Sequence, residues 1–447
     1  MSETQNLAHP CSVEDVHNSC GSTEDLYDAA EGESPYTGTV KGLTITTCAM
    51  FIIAEMAGSG ILALPKAISE AGWTGVGLLV VCCFISLYCG IILGKCWTIV
   101  RNSNTDYHGH VRDPYPLIGL AASGKAGKYI VEFCVLVTLF GVCVVFLLLA
   151  SEQIASLVHT SFGALSQKSE FRIWILICGA VLLPFTWLAT PKEMWQFAVG
   201  AGLCTMVACL FIIVRTGMYM KEYSTKPISQ DTPVSVESFF LAFGTIAFSF
   251  GGATLFPTFQ TDMRHPRQFP VAATLAFIGV LIMYLPVSAL PFLAFGTNLE
   301  DNILETLKKA NGDGKAFVTA AETLITFHLL FTFVITINPI GQQIEEYMKL
   351  PHEFGWKRIT LRTTLVLVIL GIAEAIPNFG PILALIGGST VTMMAFILPC
   401  WFYLKLKDHV PFFVKVLHVE IMLIAVVCGG AATYSACSHF KNPFKTS

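Results

Sequence analysis

The chain has 447 residues, of which 54% are hydrophobic and only 13% charged, against roughly 25% charged in a soluble domain. Such a chain lacks the polar residues to coat a water-facing surface of this size, and a mean hydropathy of +0.64 marks a lipid bilayer as its solvent. A formal net charge of −4 argues against a nucleic-acid partner.

Residues 1–42 read as a disordered acidic tail in the cytosol. Its first forty residues carry eight acids and no lysine or arginine, and no cleavable signal is evident. Apolar runs long enough for a bilayer, about 20 residues each, then recur near 43–65, 75–98, 129–155, 172–190, 194–214, 238–258, 270–294, 317–340, 361–377, 380–404 and 414–436. The ninth and tenth are separated only by Pro377-Asn378-Phe379-Gly380-Pro381. The membrane domain is therefore expected over 43–437, followed by a short tail, 438–447.

Eleven spans place the termini on opposite sides. With the N-terminus in the cytosol, 16 Lys/Arg fall inside and 11 outside. The inner loops hold the dense clusters Arg101, Arg112, Lys125, Lys128 and Lys349, Lys357, Arg358, Arg362, as the positive-inside rule favours. Most of the 15 cysteines lie in apolar runs, where they act as small hydrophobes rather than a disulfide framework. No zinc-spaced pair, nucleophile elbow or phosphate loop stands out, so an enzyme is not expected and no cofactor is called for.

Two of the spans share a pattern. Gly58-Ser59-Gly60 interrupts the first, Ser249-Phe250-Gly251-Gly252 the sixth, and a proline follows the last glycine at the same distance, Pro65 and Pro257. Gly/Pro interruptions at matching places in two halves point to a transporter's binding site. The offset is 192 residues, and Glu132 and Glu322 open the third and eighth spans 190 apart. A five-span repeat, 43–214 against 238–404, must be inverted because five is odd; the span at 414–436 lies outside the repeats.

Several of these stretches resemble the amino acid/auxin permease family. They are Gly58-Ser59-Gly60-Ile61-Leu62-Ala63-Leu64-Pro65 with Ala71-Gly72-Trp73, the sixth-span stretch Phe248–Gly252 running into Met263-Arg264-His265-Pro266, and Ile376-Pro377-Asn378-Phe379-Gly380 with Ile386-Gly387-Gly388-Ser389 and Phe396-Ile397-Leu398-Pro399. The resemblance implies an all-α integral membrane protein with a leucine-transporter-like five-plus-five inverted repeat and unwound first and sixth helices. It implies transport of amino acids driven by protons or sodium.

The chemistry at the breaks fits that implication. A zwitterion at the bilayer midplane needs donors for its carboxylate and acceptors for its ammonium. A helix restarting at Gly58-Ser59-Gly60 offers free N–H groups and a positive dipole end. The break at Ser249–Gly252 offers carbonyls, and Phe248 and Phe250 are placed to cover the substrate side chain. Glycines in membrane helices also serve close packing, and a phenylalanine in an apolar span is often packing alone.

Glu55 is an acid inside the first span, a functional candidate by its cost there. It fits either a proton carrier or an ion pair, at the midplane or at a cytosolic gate. His328, mid-span in the eighth helix, fits a proton relay or a satisfied packing partner. Sodium-coupled members of the family resemble one another in an Asn where this chain has Ala54, which has no side-chain oxygen. Ser389, Thr390 and Thr392 still offer oxygens, so the coupling ion is expected to be H+ in preference to Na+. The small aromatic-lined pocket favours small neutral amino acids. The alternative is a receptor-like sensor with little flux that signals through its tail. The residues do not separate a plasma membrane from an endolysosomal or vesicular one.

Overall fold

The computed structural model describes residues 42–104, 107, 111, 113–158, 167–188, 195–223, 234–350 and 355–441. The acidic tail through residue 41, Arg112 and residues 442–447 lie outside the described residues. The described residues are mostly helical. Two helices make up the first span, α1 (Ile45–Met56) and α2 (Gly60–Ala71). Then come α3 (Trp73–Ser103), α4 (Pro114–Val158), α5 (Gln167–Leu188) and α6 (Trp195–Tyr223).

The sixth span is α7 (Val236–Ser249), a 3-10 stretch (Gly251–Leu255) and α8 (Phe256–Asp262). After it follow α9 (Phe269–Phe295), the short α10 (Ile303–Lys309), α11 (Lys315–Tyr347) and α12 (Trp356–Ala375). The tenth span runs through α13 (Phe379–Ile386), π-helical turns (Gly387–Val391, Met393–Ile397) and α14 (Leu398–Leu406). The last helix is α15 (Phe412–Lys441).

Among the described residues, eight helices or continuous helical runs are long and apolar enough to cross a bilayer, and the bent pair α1–α2 makes a ninth. Where the sequence puts the sixth and ninth spans, the broken run from α7 to α8 and the helix α12 do not reach that measure, so nine of the eleven expected spans meet it. α12 is the least apolar because it carries Lys357, Arg358 and Arg362 near its start and Glu374 near its end. The weak boundary between the ninth and tenth spans falls where Pro377-Asn378 separate α12 from α13.

Local chemistry sets the helix ends. The Thr44 side chain accepts the Thr47 N–H at 3.2 Å and starts α1, and Ser235 does the same for Ser238 at 3.0 Å and α7. Pro257 sits in the first turn of α8, where its missing N–H costs nothing. Gly72, at φ 61°, lets the chain reverse between α2 and α3. α4 is bent at Ser123 and Gly124, which leaves Pro114–Ala122 as a short arm before the third span.

The outward faces are apolar, as lipid requires: Phe84, Ile282 and Leu423 are each at least 61% exposed. The most apolar window of α15 is only 22% buried, against 72% for the tenth span, so the last helix is peripheral. Most cysteines of the described spans are small buried hydrophobes, Cys82, Cys83, Cys134 and Cys143 among them, while Cys204 and Cys428 are half-buried.

Two charges expected at the membrane surface are inside the bundle. Arg362 is 2% exposed and pairs with Glu345 of α11 at 2.9 Å, with further donations to Asn338 Oδ1 at 2.9 Å and the Thr186 carbonyl at 2.7 Å. Glu322, at 3% exposure, accepts from the Ser156 hydroxyl at 2.8 Å and faces Lys308 at 3.9 Å. A single buried charge is costly, so each is compensated by a partner from another helix.

Candidate functional site

The two interruptions meet face to face. A Cβ placed on Gly60 would lie 2.6 Å from Ser249 Oγ and 3.0 Å from Ser249 Cα. One placed on Gly252 would lie 3.0 Å from Met56 Cγ and 3.4 Å from Glu55 Cγ. No side chain fits at Gly60, so α2 approaches the end of α7 backbone to backbone.

The breaks differ in form. α1 and α2 meet at 62° over three residues, and the Gly58 N–H turns back to the Met56 carbonyl at 2.8 Å. The second break is longer, a 3-10 stretch from Gly251 to Leu255. The shared glycine-to-proline spacing therefore has two outcomes: Pro65 lies inside α2, whereas Pro257 opens α8.

Each break frees backbone groups. At the start of α2, the Ile61 and Leu62 N–H groups reach the Gly58 and Ser59 carbonyls only at 3.4 and 3.3 Å, long for such bonds. The Ser59 hydroxyl is buried there without a hydrogen-bond partner. At the ends of α1 and α7, a residue that sequence reasoning missed takes up the carbonyls. The Tyr284 hydroxyl, from α9, lies 2.5 Å from the Met56 carbonyl and 2.9 Å from the Ser249 carbonyl. It holds the two half-helices together. The expected free carbonyls are thus partly engaged, although a carbonyl oxygen has two lone pairs. A lone tyrosine in an apolar span gave no signal, since only the fold reveals what its hydroxyl reaches.

Replacing Tyr284 by Phe takes the hydroxyl from the Ser249 carbonyl and leaves the Met56 carbonyl with the Gly58 N–H alone, at about 1–3 kcal/mol for an unsatisfied buried group. The expected result is a lower melting temperature in detergent and a weaker apparent affinity for substrate, with the fold retained; unchanged affinity and melting would remove this role.

The other expected site residues are distributed as follows. Phe250 is fully buried, its ring 6.2 Å from Phe277 and 5.6 Å from Tyr284, both on α9. Its ring therefore packs on α9 and covers no open space in this state. Phe248 is half-buried on the α7 face toward Gly387 of the tenth span. Gly251 faces Val391.

Glu55 is exposed, makes no ion pair among the described residues, and points its Cγ toward Gly252. Ala54 packs against Gly202, where a Cβ would lie 2.5 Å from the Ala54 methyl, so position 54 faces α6. His328 comes to the first break, 3.9 Å from where a Gly58 Cβ would be. Ser389 and Thr390 do not join this group. Ser389 donates to the Leu385 carbonyl at 2.6 Å, Thr390 pairs with Thr138 of α4 at 2.6 Å, and Thr392 donates to the Gly387 carbonyl at 2.7 Å.

A cavity of about 780 Å³ leads toward the breaks from the side of α2 and α10. Its wall includes Ala63 and Thr245, one turn from Gly60 and Ser249 respectively. Its rim carries Lys66, Glu70, Glu152, Asp301 and Lys308. Burial pushes the Asp301 carboxyl up, against the opposing pull of Lys66. At the other end, the backbone of Leu43 is stitched to the end of α8: Leu43 N–H donates to Asp262 at 2.8 Å, and Arg264 N–H to Leu43 at 3.0 Å.

Residues 41–437 match the family described as transmembrane amino acid transporter protein. The chain belongs to that family. It is 27% identical to amino acid transporter AVT1D of Arabidopsis thaliana over 87% of this chain and 68% of that protein. It is 28% identical to lysine histidine transporter-like 3 of the same organism, over 86% and 88%. Among solved structures it resembles MhsT in complex with L-phenylalanine, at a TM-score of 0.55 and 14% identity, over 87% of this chain and 98% of that one. The fold is leucine-transporter-like, a five-plus-five inverted repeat with an eleventh helix, and the protein is a multi-pass integral membrane protein.

Proposed function

We propose that this family member is a secondary active transporter of small neutral amino acids, working by alternating access, with protons rather than sodium as the coupled ion. The observation that carries this reading is the meeting of two broken helices, held by one hydroxyl, one turn from a cavity whose wall includes Ala63 and Thr245. The start of α2 offers weakly engaged N–H groups, the Ser59 hydroxyl and a positive dipole end to a carboxylate. The remaining lone pairs at the end of α7 would accept from the ammonium, and Phe248 would border the side chain. The names of the relatives support amino acids as the substrate class.

In this reading the functional units are the repeats 43–214 and 238–404, with 414–436 as an added helix and the N-terminus in the cytosol. The protein then works as a carrier and not as an enzyme. The site holds substrate by backbone groups, which any amino acid presents alike, so the side-chain surroundings set selectivity. The lack of a side-chain oxygen at Ala54 supports protons over sodium.

The test is uptake of a panel of labelled amino acids into proteoliposomes under an imposed pH gradient without sodium. Accumulation that follows the gradient is the expected result. Uptake restored only by sodium would overturn the choice of ion. Binding of one amino acid without flux would replace the carrier by a sensor.

A further inference from the structure

His328 sits on α11, buried to 3% exposure. Its Nδ1 lies 2.9 Å from the Ala201 carbonyl and 3.0 Å from Thr205 Oγ1, both on α6. A carbonyl only accepts, so Nδ1 carries the hydrogen. In the neutral ring, Nε2 is then an acceptor with a free lone pair. That atom is buried with no partner, and it is the atom nearest a Cβ at Gly58, with nothing else within 4 Å. An imidazole pinned at one nitrogen thus aims the other at the unwound point of the first span.

What it faces is the C-terminal end of α1. The Gly58 N–H has turned to Met56, and among the described residues no backbone N–H reaches the Ala54 or Glu55 carbonyl across the break. A helix C-terminus with unpaired carbonyls favours a cation. Without a proton, both sides of this gap are acceptors. With one, Nε2–H becomes a donor and the imidazolium charge faces the negative end of a half-helix.

We infer that His328 Nε2 is where the coupled proton binds, and that the bound proton draws the end of α1 toward α11. This rests on the transport reading above and names the group that couples it. The Nε2 lone pair takes H+ from the side to which the site is open, forming Nε2–H, and returns the same proton on the other side. No other bond forms or breaks.

The groups facing the ring are few. α6 contributes Ala201 and Thr205, α4 contributes the edge of Phe146 at 6.3 Å between ring centres, and the broken span contributes Gly58. The titratable neighbour on the broken span is Glu55, three residues before Gly58. Along their helices, at 1.5 Å per residue, Glu152 is about 9 Å from Phe146, Glu322 about 9 Å from His328, and Arg215 about 15 Å from Thr205. The imidazole is thus the ionisable group of α11 set directly against the break at Gly58.

The experiment compares wild type with His328→Gln and Thr205→Val as full-length protein in proteoliposomes, using whichever labelled amino acid the wild type takes up from the panel. An internal pH dye reports proton entry. Wild type is expected to acidify the lumen when that amino acid is added. His328→Gln, whose amide cannot titrate, is expected to lose dye response and gradient-driven uptake at least tenfold, while counterflow exchange stays within about threefold. Thr205→Val keeps the imidazole but loosens Nδ1, and is expected to move the midpoint of uptake against pH by about half a unit or more.

Proton entry preserved in His328→Gln overturns the assignment while leaving the carrier reading intact. If that variant does not fold, an unmoved midpoint in Thr205→Val overturns it instead. A wild type that takes up nothing overturns the carrier reading and the proton site with it.

Discussion

Gly60→Ala is expected to lose most amino acid uptake. The added methyl would lie 2.6 Å from Ser249 Oγ and 3.0 Å from the Ser249 backbone. The hydroxyl can rotate away, but the backbone cannot do so without separating the two breaks. Overpacking of this kind costs roughly 1–3 kcal/mol, and the displacement moves the start of α2 away from the substrate position. Uptake should fall to less than about a tenth of wild type, with the melting temperature lowered. The control is Gly77→Ala on α3 or Gly371→Ala on α12, where a Cβ meets nothing within 4 Å. Either should leave stability within about 0.5 kcal/mol, as open positions do. A transport-competent Gly60→Ala would mean that α2 and α7 need not approach so closely.

The second large effect is expected at Arg362→Met. The substitution removes a guanidinium that serves Glu345, Asn338 and the Thr186 carbonyl together. Glu345, 1% exposed, is left with Arg358 at 3.4 Å as its remaining cation. Removing one partner of a buried pair typically costs about 3–5 kcal/mol, and the second arginine places this case toward the lower end. The double variant Arg362→Met/Glu345→Leu should be less destabilised than the single one, because no buried charge is then stranded. Melting temperatures of the detergent-purified variants measure both. Equal loss in the single and double variants would show that packing, not charge, holds α5, α11 and α12 together here.

Both predictions concern residues whose meaning differs between sequence and structure. Arg362 reads as one of several basic loop residues, because sequence spacing cannot tell a helix start that faces lipid headgroups from one that faces another helix. Gly60 reads either as a place where the backbone opens to a ligand or as a close-packing point between helices, and the structure sets Ser249 against it. What approaches it is not legible from the first span alone.

The same division runs through the site. The two Gly/Pro interruptions, their 192-residue offset and the count of eleven spans are local or periodic features, set by the length of a bilayer-crossing helix and the backbone freedom of glycine. They were enough to reach a membrane-embedded chain built on a repeat, while the family and amino acids as its cargo came from the resemblance of particular stretches.

Three particulars depended on long-range contacts. Tyr284 is one apolar-span tyrosine among others until α9 lays its hydroxyl between the ends of α1 and α7. Phe250 is a plausible cover for substrate until its ring is seen against Phe277. His328 is a lone intramembrane histidine until α6 occupies one nitrogen and the first break faces the other. Backbone chemistry is written along the chain because it depends on the residue itself. The partner of a side chain 35, 127 or 228 residues away is decided only when the helices pack, because hydrogen-bond reach is about 3 Å and no sequence pattern records which helices come that close.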